Sequence, residues 1–177
     1  RLSQLIASMK DDDGKVTIPG YYDGITISEE ARAIMSAVPD DEKFIRRSIG
    51  ISEPDKVANN YQESIQYPSL NVRGMQSGWV EKEVRTIIPS YALAEIDVRL
   101  VKETDPNRII KLIKNHIKSQ GYYIIDRDPK DNERSRYNKI ASFNYRIGYQ
   151  AFRTPVNSEI AYWLRAALVN GFGKEPI

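Results

Sequence analysis

The sequence has 177 residues, 41% hydrophobic and 28% charged, which suits one folded domain or slightly more and excludes a wholly disordered chain. Lys and Arg number 26 against 24 Asp and Glu, and the resulting net charge of +2 argues against a dedicated nucleic-acid binder. No apolar run reaches about 18 residues, so no membrane-spanning helix is expected. Cysteine is absent, which removes disulfides, thiolate metal sites and a cysteine nucleophile and fits a reducing, cytoplasmic compartment.

The chain opens on Arg1 without a signal-peptide pattern and reads as a piece of something longer. Leu2, Leu5, Ile6 and Met9 recur at helical spacing. Residues 10–14 read as a turn, and Lys15-Val16-Thr17-Ile18 as a short strand before a breaker-rich loop, 19–24. Ser28 caps a helix to about Ala37, with Glu29 and Glu30 in its first turn. Asp40 or Asp41 caps the next, which runs to Ile49 and stops at Gly50. Residues 51–67 show no period and are expected to be irregular.

Strand patterns follow at Leu70–Gly74, Val84–Ile88 and, most clearly, Tyr91–Val101. In the last, Ala92, Ala94, Ile96, Val98 and Leu100 share one face, and Leu93, Glu95, Asp97 and Arg99 the other. Asp105-Pro106 opens a helix to Gln120, stopped by Gly121. Strands are expected at 122–125 and 140–152 around a polar loop at 126–138. A helix is expected over Ser158–Val169, with Ile160, Trp163, Leu164 and Leu168 on its apolar stripe. This order predicts an α+β fold: a ferredoxin-like two-layer sandwich with a mainly antiparallel sheet and helices on one face.

No complete active site is legible. His116 is the one histidine and sits beside the apolar stripe of the 105–120 helix, with no nucleophile motif around it. Gly171-Phe172-Gly173 reads as a helix stop rather than a phosphate loop. Arg108, Lys111, Lys114 and Lys118 recur at helical spacing as a solvated face. The competing reading of those four is a stand-alone ferredoxin-like interaction module that binds nucleic acid. Arg99 stands on the polar face of its strand, either to fork onto a carboxylate or to pair with a cross-strand acid. Thr86 precedes the Pro89 break. Thirteen residues separate it from Arg99, a run of up to about 43 Å when extended, so spacing alone does not bring the two together.

One stretch is more specific. Gly78-Trp79 and Arg85-Thr86-Ile87-Ile88-Pro89-Ser90-Tyr91-Ala92-Leu93-Ala94-Glu95-Ile96-Asp97-Val98-Arg99-Leu100-Val101 resembles the signature of the lid, or dimerisation, domain of the carnosinase-like di-zinc metallopeptidases (clan MH, the carboxypeptidase G and succinyl-diaminopimelate desuccinylase superfamily). Gly14 to Gly24 is similar to the glycine- and tyrosine-rich stretch of that family, and Tyr67 to Gly74 to its following strand. The resemblance implies a lid over residues 1–135 with an inserted segment at about 15–67, and the start of the return to a catalytic domain over 136–177. It implies a parent that hydrolyses the amide bond of a dipeptide or N-acyl amino acid next to a free carboxylate. Two zinc ions would act there, with their ligands outside these residues and none within them, so this chain alone is expected to be inactive. It also implies a homodimer through the lid, with no nucleic-acid or membrane partner. Thr86 and Arg99 occupy the positions whose counterparts reach substrate, in some members across the dimer; the resemblance implies a carboxylate-clamp or oxyanion-stabilising role for Arg99 and a hydrogen bond to substrate from Thr86. Three residues depart from the pattern: Glu81 and Glu83, where glycines are usual, and Glu95, where lysine is usual.

Overall fold

Helix α1 (Leu2–Ala7) turns Leu5 inward, and Met9, just past its end, is fully buried. The expected strand at 15–18 is reduced to an isolated antiparallel bridge between Lys10 and Val16. Its backbone groups find local partners instead: Val16 N–H donates to the Tyr22 hydroxyl (2.8 Å) and Thr17 N–H to the Met9 carbonyl (2.9 Å). Val16, Ile18 and Tyr21 still turn into the core. These features come from a computed structural model that describes residues 1–155 and 157–173; of the expected return segment, residues 156 and 174–177 lie outside the described residues.

Two capped helices follow as expected. In α2 (Glu29–Ser36) the Ser28 hydroxyl accepts from Ala31 N–H at 3.1 Å, and in α3 (Glu42–Ile49) the Asp41 carboxylate accepts from Phe44 N–H at 2.9 Å. The segment expected to be irregular contains one further turn of helix, α4 (Tyr61–Ser64), capped by Asn60 on Glu63 N–H at 2.9 Å. Glu63 is buried there and bonded by Arg32 and by Asn59 (2.9 Å). Burial pushes its carboxyl up, but these hydrogen bonds carry it below the usual carboxylate range. The pair ties α2 to α4.

Strands β1 (Ser69–Ser77) and β2 (Ala92–Arg99) form an antiparallel hairpin, from Ser69 opposite Arg99 to Ser77 opposite Ala92. The register shifts between Val72 and Gly74, so Arg73 is the extra residue of a bulge, and its guanidinium bonds Glu95 at 2.8 Å. Val84–Ile88 is not a strand. The hairpin closes before it, so the segment has no strand beside it, and Pro89 offers no N–H to a ladder. A 3₁₀ turn at Glu81–Glu83 and irregular backbone fill the loop.

Helix α5 (Pro106–Ser119) starts where Asp105 accepts from the N–H groups of Asn107 (3.2 Å) and Arg108 (3.1 Å). Ile109, Ile113 and Ile117 form its buried stripe. They join Leu5, Met9, Val16, Ile18, Tyr21 and Leu70 in one core, against which Ile96, Val98 and Leu100 pack. The alternation read from β2 is therefore correct: its apolar face meets the helices and its polar face stays open. The architecture is the α+β arrangement expected, with helices against one face of an antiparallel hairpin.

A second, parallel pair joins β3 (Tyr123–Ile125) to β4 (Ile140–Ser142), much shorter than the strand expected over 140–152. Between them lies α6 (Asp131–Arg136), within the expected loop. Arg127 forks onto Glu133 (2.7 Å twice), and Lys130 N–H donates to the same carboxylate (2.8 Å), which holds its carboxyl down at about 2. Beyond β4 the chain runs without ladder partners, held by side chains: Lys114 lies over the rings of Phe143 (5.2 Å) and Tyr145 (5.1 Å), and Arg153 bonds Glu103 at 2.7 Å. Helix α7 (Glu159–Phe172) follows and buries none of its residues.

Candidate substrate-binding face

Arg99 ends β2 on the open face. Its Nε donates to Asp97 Oδ2 at 2.7 Å, and its Nη1 donates to the Tyr149 hydroxyl at 3.1 Å. The acid is not across the ladder, where Ser69 stands, but two residues back on the same strand, the spacing that puts two side chains on one face. The hydrogen bond and the charge of Asp97, with Tyr149 after them, push the guanidinium further up, so it stays a cation. About two thirds of the side chain is exposed (67%), so its remaining N–H donors are open to a ligand.

Thr86 lies elsewhere. It is in the loop that joins β1 to β2, beyond Ala92, and Ala92 and Arg99 are already roughly 23 Å apart at strand geometry. One chain thus presents the two predicted residues at opposite ends of a hairpin. Around Thr86 the loop exposes Val80, Val84, Ile87, Ile88 and Tyr91. Arg85 covers Trp79 at 4.7 Å. Gly78 has φ 64°, and a Cβ there would come within 2.8 Å of Pro89 Cγ, so the turn into the loop requires glycine. Three residues on, Glu81 adopts φ 51°, a left-handed conformation that glycine takes without strain.

His116 is buried on α5, and its Nε2 lies 2.8 Å from Ser8 Oγ on the chain just past α1. This is not a nucleophile and base. The Ser8 hydroxyl donates its proton to the Leu5 carbonyl (2.7 Å), so the imidazole N–H donates to the serine oxygen. Desolvation pushes the imidazole below its ordinary value. The basic face of α5 is partly committed as well: Arg108 donates to the carbonyls of Gly20 (2.7 Å) and Asp23 (3.0 Å), and Lys114 faces the two rings. Among the described residues no three His, Asp or Glu side chains are grouped so as to hold a metal ion. A groove of about 340 Å³ between Arg46, Lys56 and Tyr61 lies in the inserted segment and includes neither Thr86 nor Arg99.

Sequence reading missed the part of Tyr149. Residues 140–152 carried only a strand expectation, and Tyr149 and Arg99, fifty residues apart, share no periodic signal that would pair them.

Comparison with known proteins identifies the family and the fold. The family model for the peptidase dimerisation domain matches residues 1–123. The Beta-Ala-His dipeptidase of Rattus norvegicus is 24% identical over 181 residues, covering 99% of this chain and 34% of that protein. The Cys-Gly metallodipeptidase DUG1 of Saccharomyces cerevisiae is 23% identical over 118 residues, covering 65% and 24%. Among solved structures, an M20 family metallo-carboxypeptidase, Sso-CP2 from Sulfolobus solfataricus, superposes with a TM-score of 0.70 at 28% identity, over 99% of this chain and 37% of that one. Human carnosine dipeptidase 1 shares the fold with a TM-score of 0.72 at 20% identity, over 99% and 36%. The chain spans about a third of the length of the curated relatives that it matches across nearly its whole length.

Proposed function

The chain belongs to the peptidase dimerisation domain family, and from that premise we propose that it is the lid and dimer-forming part of a metal-dependent peptidase or aminoacylase. The parent hydrolyses the amide bond of a dipeptide or N-acyl amino acid. The matched relatives are dipeptidases of which this chain corresponds to about a quarter to a third, and on this reading the remainder of such a protein is where a metal-binding catalytic domain belongs. On this reading two zinc ions and the groups that hold them belong to that part, in keeping with the metallodipeptidases among the matched relatives. On this reading residues 1–135 are the lid, residues 136–177 begin the return, the isolated chain has no peptidase activity, and the parent works in the cytoplasm.

The observation that carries the reading within these residues is the Arg99 guanidinium, held charged by Asp97 and about two thirds exposed (67%) on the polar side of its strand. It binds the free carboxylate beside the scissile amide. Thr86, a strand's length away and ringed by apolar side chains, serves a substrate from the other end of the hairpin, across a homodimer interface that those side chains help to form. In the full-length protein Arg99→Ala lowers kcat/KM by about a hundredfold, the worth of a lost hydrogen bond to a charged group of roughly 3 kcal/mol. A variant with near-normal kcat/KM removes Arg99 from the site.

A further inference from the structure

We propose that Tyr149 supplies a second hydrogen-bond donor to the carboxylate that Arg99 binds, so that the two side chains form one clamp. This rests on the carboxylate-binding reading of Arg99 given above.

Arg99 Nη1 is a donor, so in the 3.1 Å contact the Tyr149 oxygen accepts. The tyrosine keeps its own proton for another acceptor, and among the described residues none takes it. Asp97 occupies Nε, and Nη2 carries no partner among the described residues. Two kinds of free donor therefore stand side by side, a guanidinium N–H and a phenol O–H, which suits the two oxygens of one carboxylate.

Charge explains why a tyrosine is useful at this place. Asp97 fixes the guanidinium but also repels any anion that approaches it. Tyr149 fixes the same group from a second direction without adding negative charge. An exposed arginine samples many rotamers, and two anchors reduce the freedom lost when ligand binds. The tyrosine is itself placed rather than loose. Upstream of it Lys114 holds Phe143 and Tyr145, and downstream Arg153 holds Glu103. Its ring is 71% exposed, so it is not there to fill the core.

The test compares, in the full-length protein, a dipeptide chosen from a panel for fastest hydrolysis with the same dipeptide bearing a C-terminal amide. Tyr149→Phe is expected to lower kcat/KM for the dipeptide about tenfold, mainly through KM, and to leave the amide unchanged. On an Arg99→Ala background the same change is expected to have a much smaller effect, because the tyrosine has lost the group that orients it. An equal loss on dipeptide and amide, or no loss on either, overturns the clamp. If Arg99→Ala is damaging while Tyr149→Phe is silent, the clamp fails and the reading of Arg99 stands. If Arg99→Ala is silent, or neither a dipeptide nor an N-acyl amino acid is cleaved, both fail together.

Discussion

Helices α5 and α7 have the same length, 14 residues each, and opposite surroundings. α5 alternates lysines with isoleucines and buries Ile109, Ile113, His116 and Ile117. α7 is the more apolar of the two and leaves Ile160 (57% exposed), Trp163 (70%) and Phe172 (76%) in the open. A sequence that apolar gains nothing by forming an uncovered helix. The contrast divides the molecule into a part whose apolar surface is already matched, built on α1, the hairpin and α5, and two parts whose apolar side chains stand exposed, α7 and the loop around Thr86.

The largest effect that can break this division is a pair of truncations in the two helices. Ile113→Ala should cost about 2–5 kcal/mol in denaturant unfolding of this chain, since it removes a core side chain. Leu164→Ala, at 56% exposure on α7, should change the same quantity by no more than about 0.5 kcal/mol. Comparable losses at both sites would mean that α7 is covered after all.

A smaller effect concerns His116, the one titrating imidazole and a member of the matched part. Burial favours its neutral form and lowers its value when folded, so the unfolded chain takes up the proton first. Its contribution is therefore present above the ordinary value of 6.5 and is lost as pH falls through the depressed folded value. Thermal unfolding should show Tm dropping between pH 7 and pH 5.5, with a shallower drop in His116→Gln. Equal slopes for both proteins would remove His116 as the cause.

The last expected change lies in the loop around Thr86. Glu81→Gly relieves a left-handed side chain at the expense of a looser unfolded state, for a net gain of up to about 1 kcal/mol in unfolding free energy. A clear loss instead would show that the Glu81 side chain holds the loop.

What the sequence made legible follows the range of the forces involved. Caps at Ser28, Asp41 and Asp105, the apolar stripe of α5 and the alternation of β2 are local patterns, and all are seen in the structure. Val84–Ile88 reads as a strand because its composition suits one, but a strand needs a neighbour, and that is decided by β1 and β2 pairing across it. α4 and α6 are short and polar, stabilised by single carboxylates, Glu63 and Glu133, whose arginine partners no periodicity identifies. The candidate site divides in the same way. Arg99 stood out on its strand, and its partner Asp97 shares that face, but Tyr149 arrives from a segment without regular structure.

The bulge at Arg73 has a consequence some distance from where it sits. An extra residue bends its strand and increases the local right-handed twist, so the outer half of the hairpin is steered by a feature near its middle. The direction in which Thr86 and its apolar neighbours are aimed is thus governed at residue 73. Deleting that one residue would straighten the ladder and swing the tip away from whatever it was shaped to meet, with the sequence of the tip untouched.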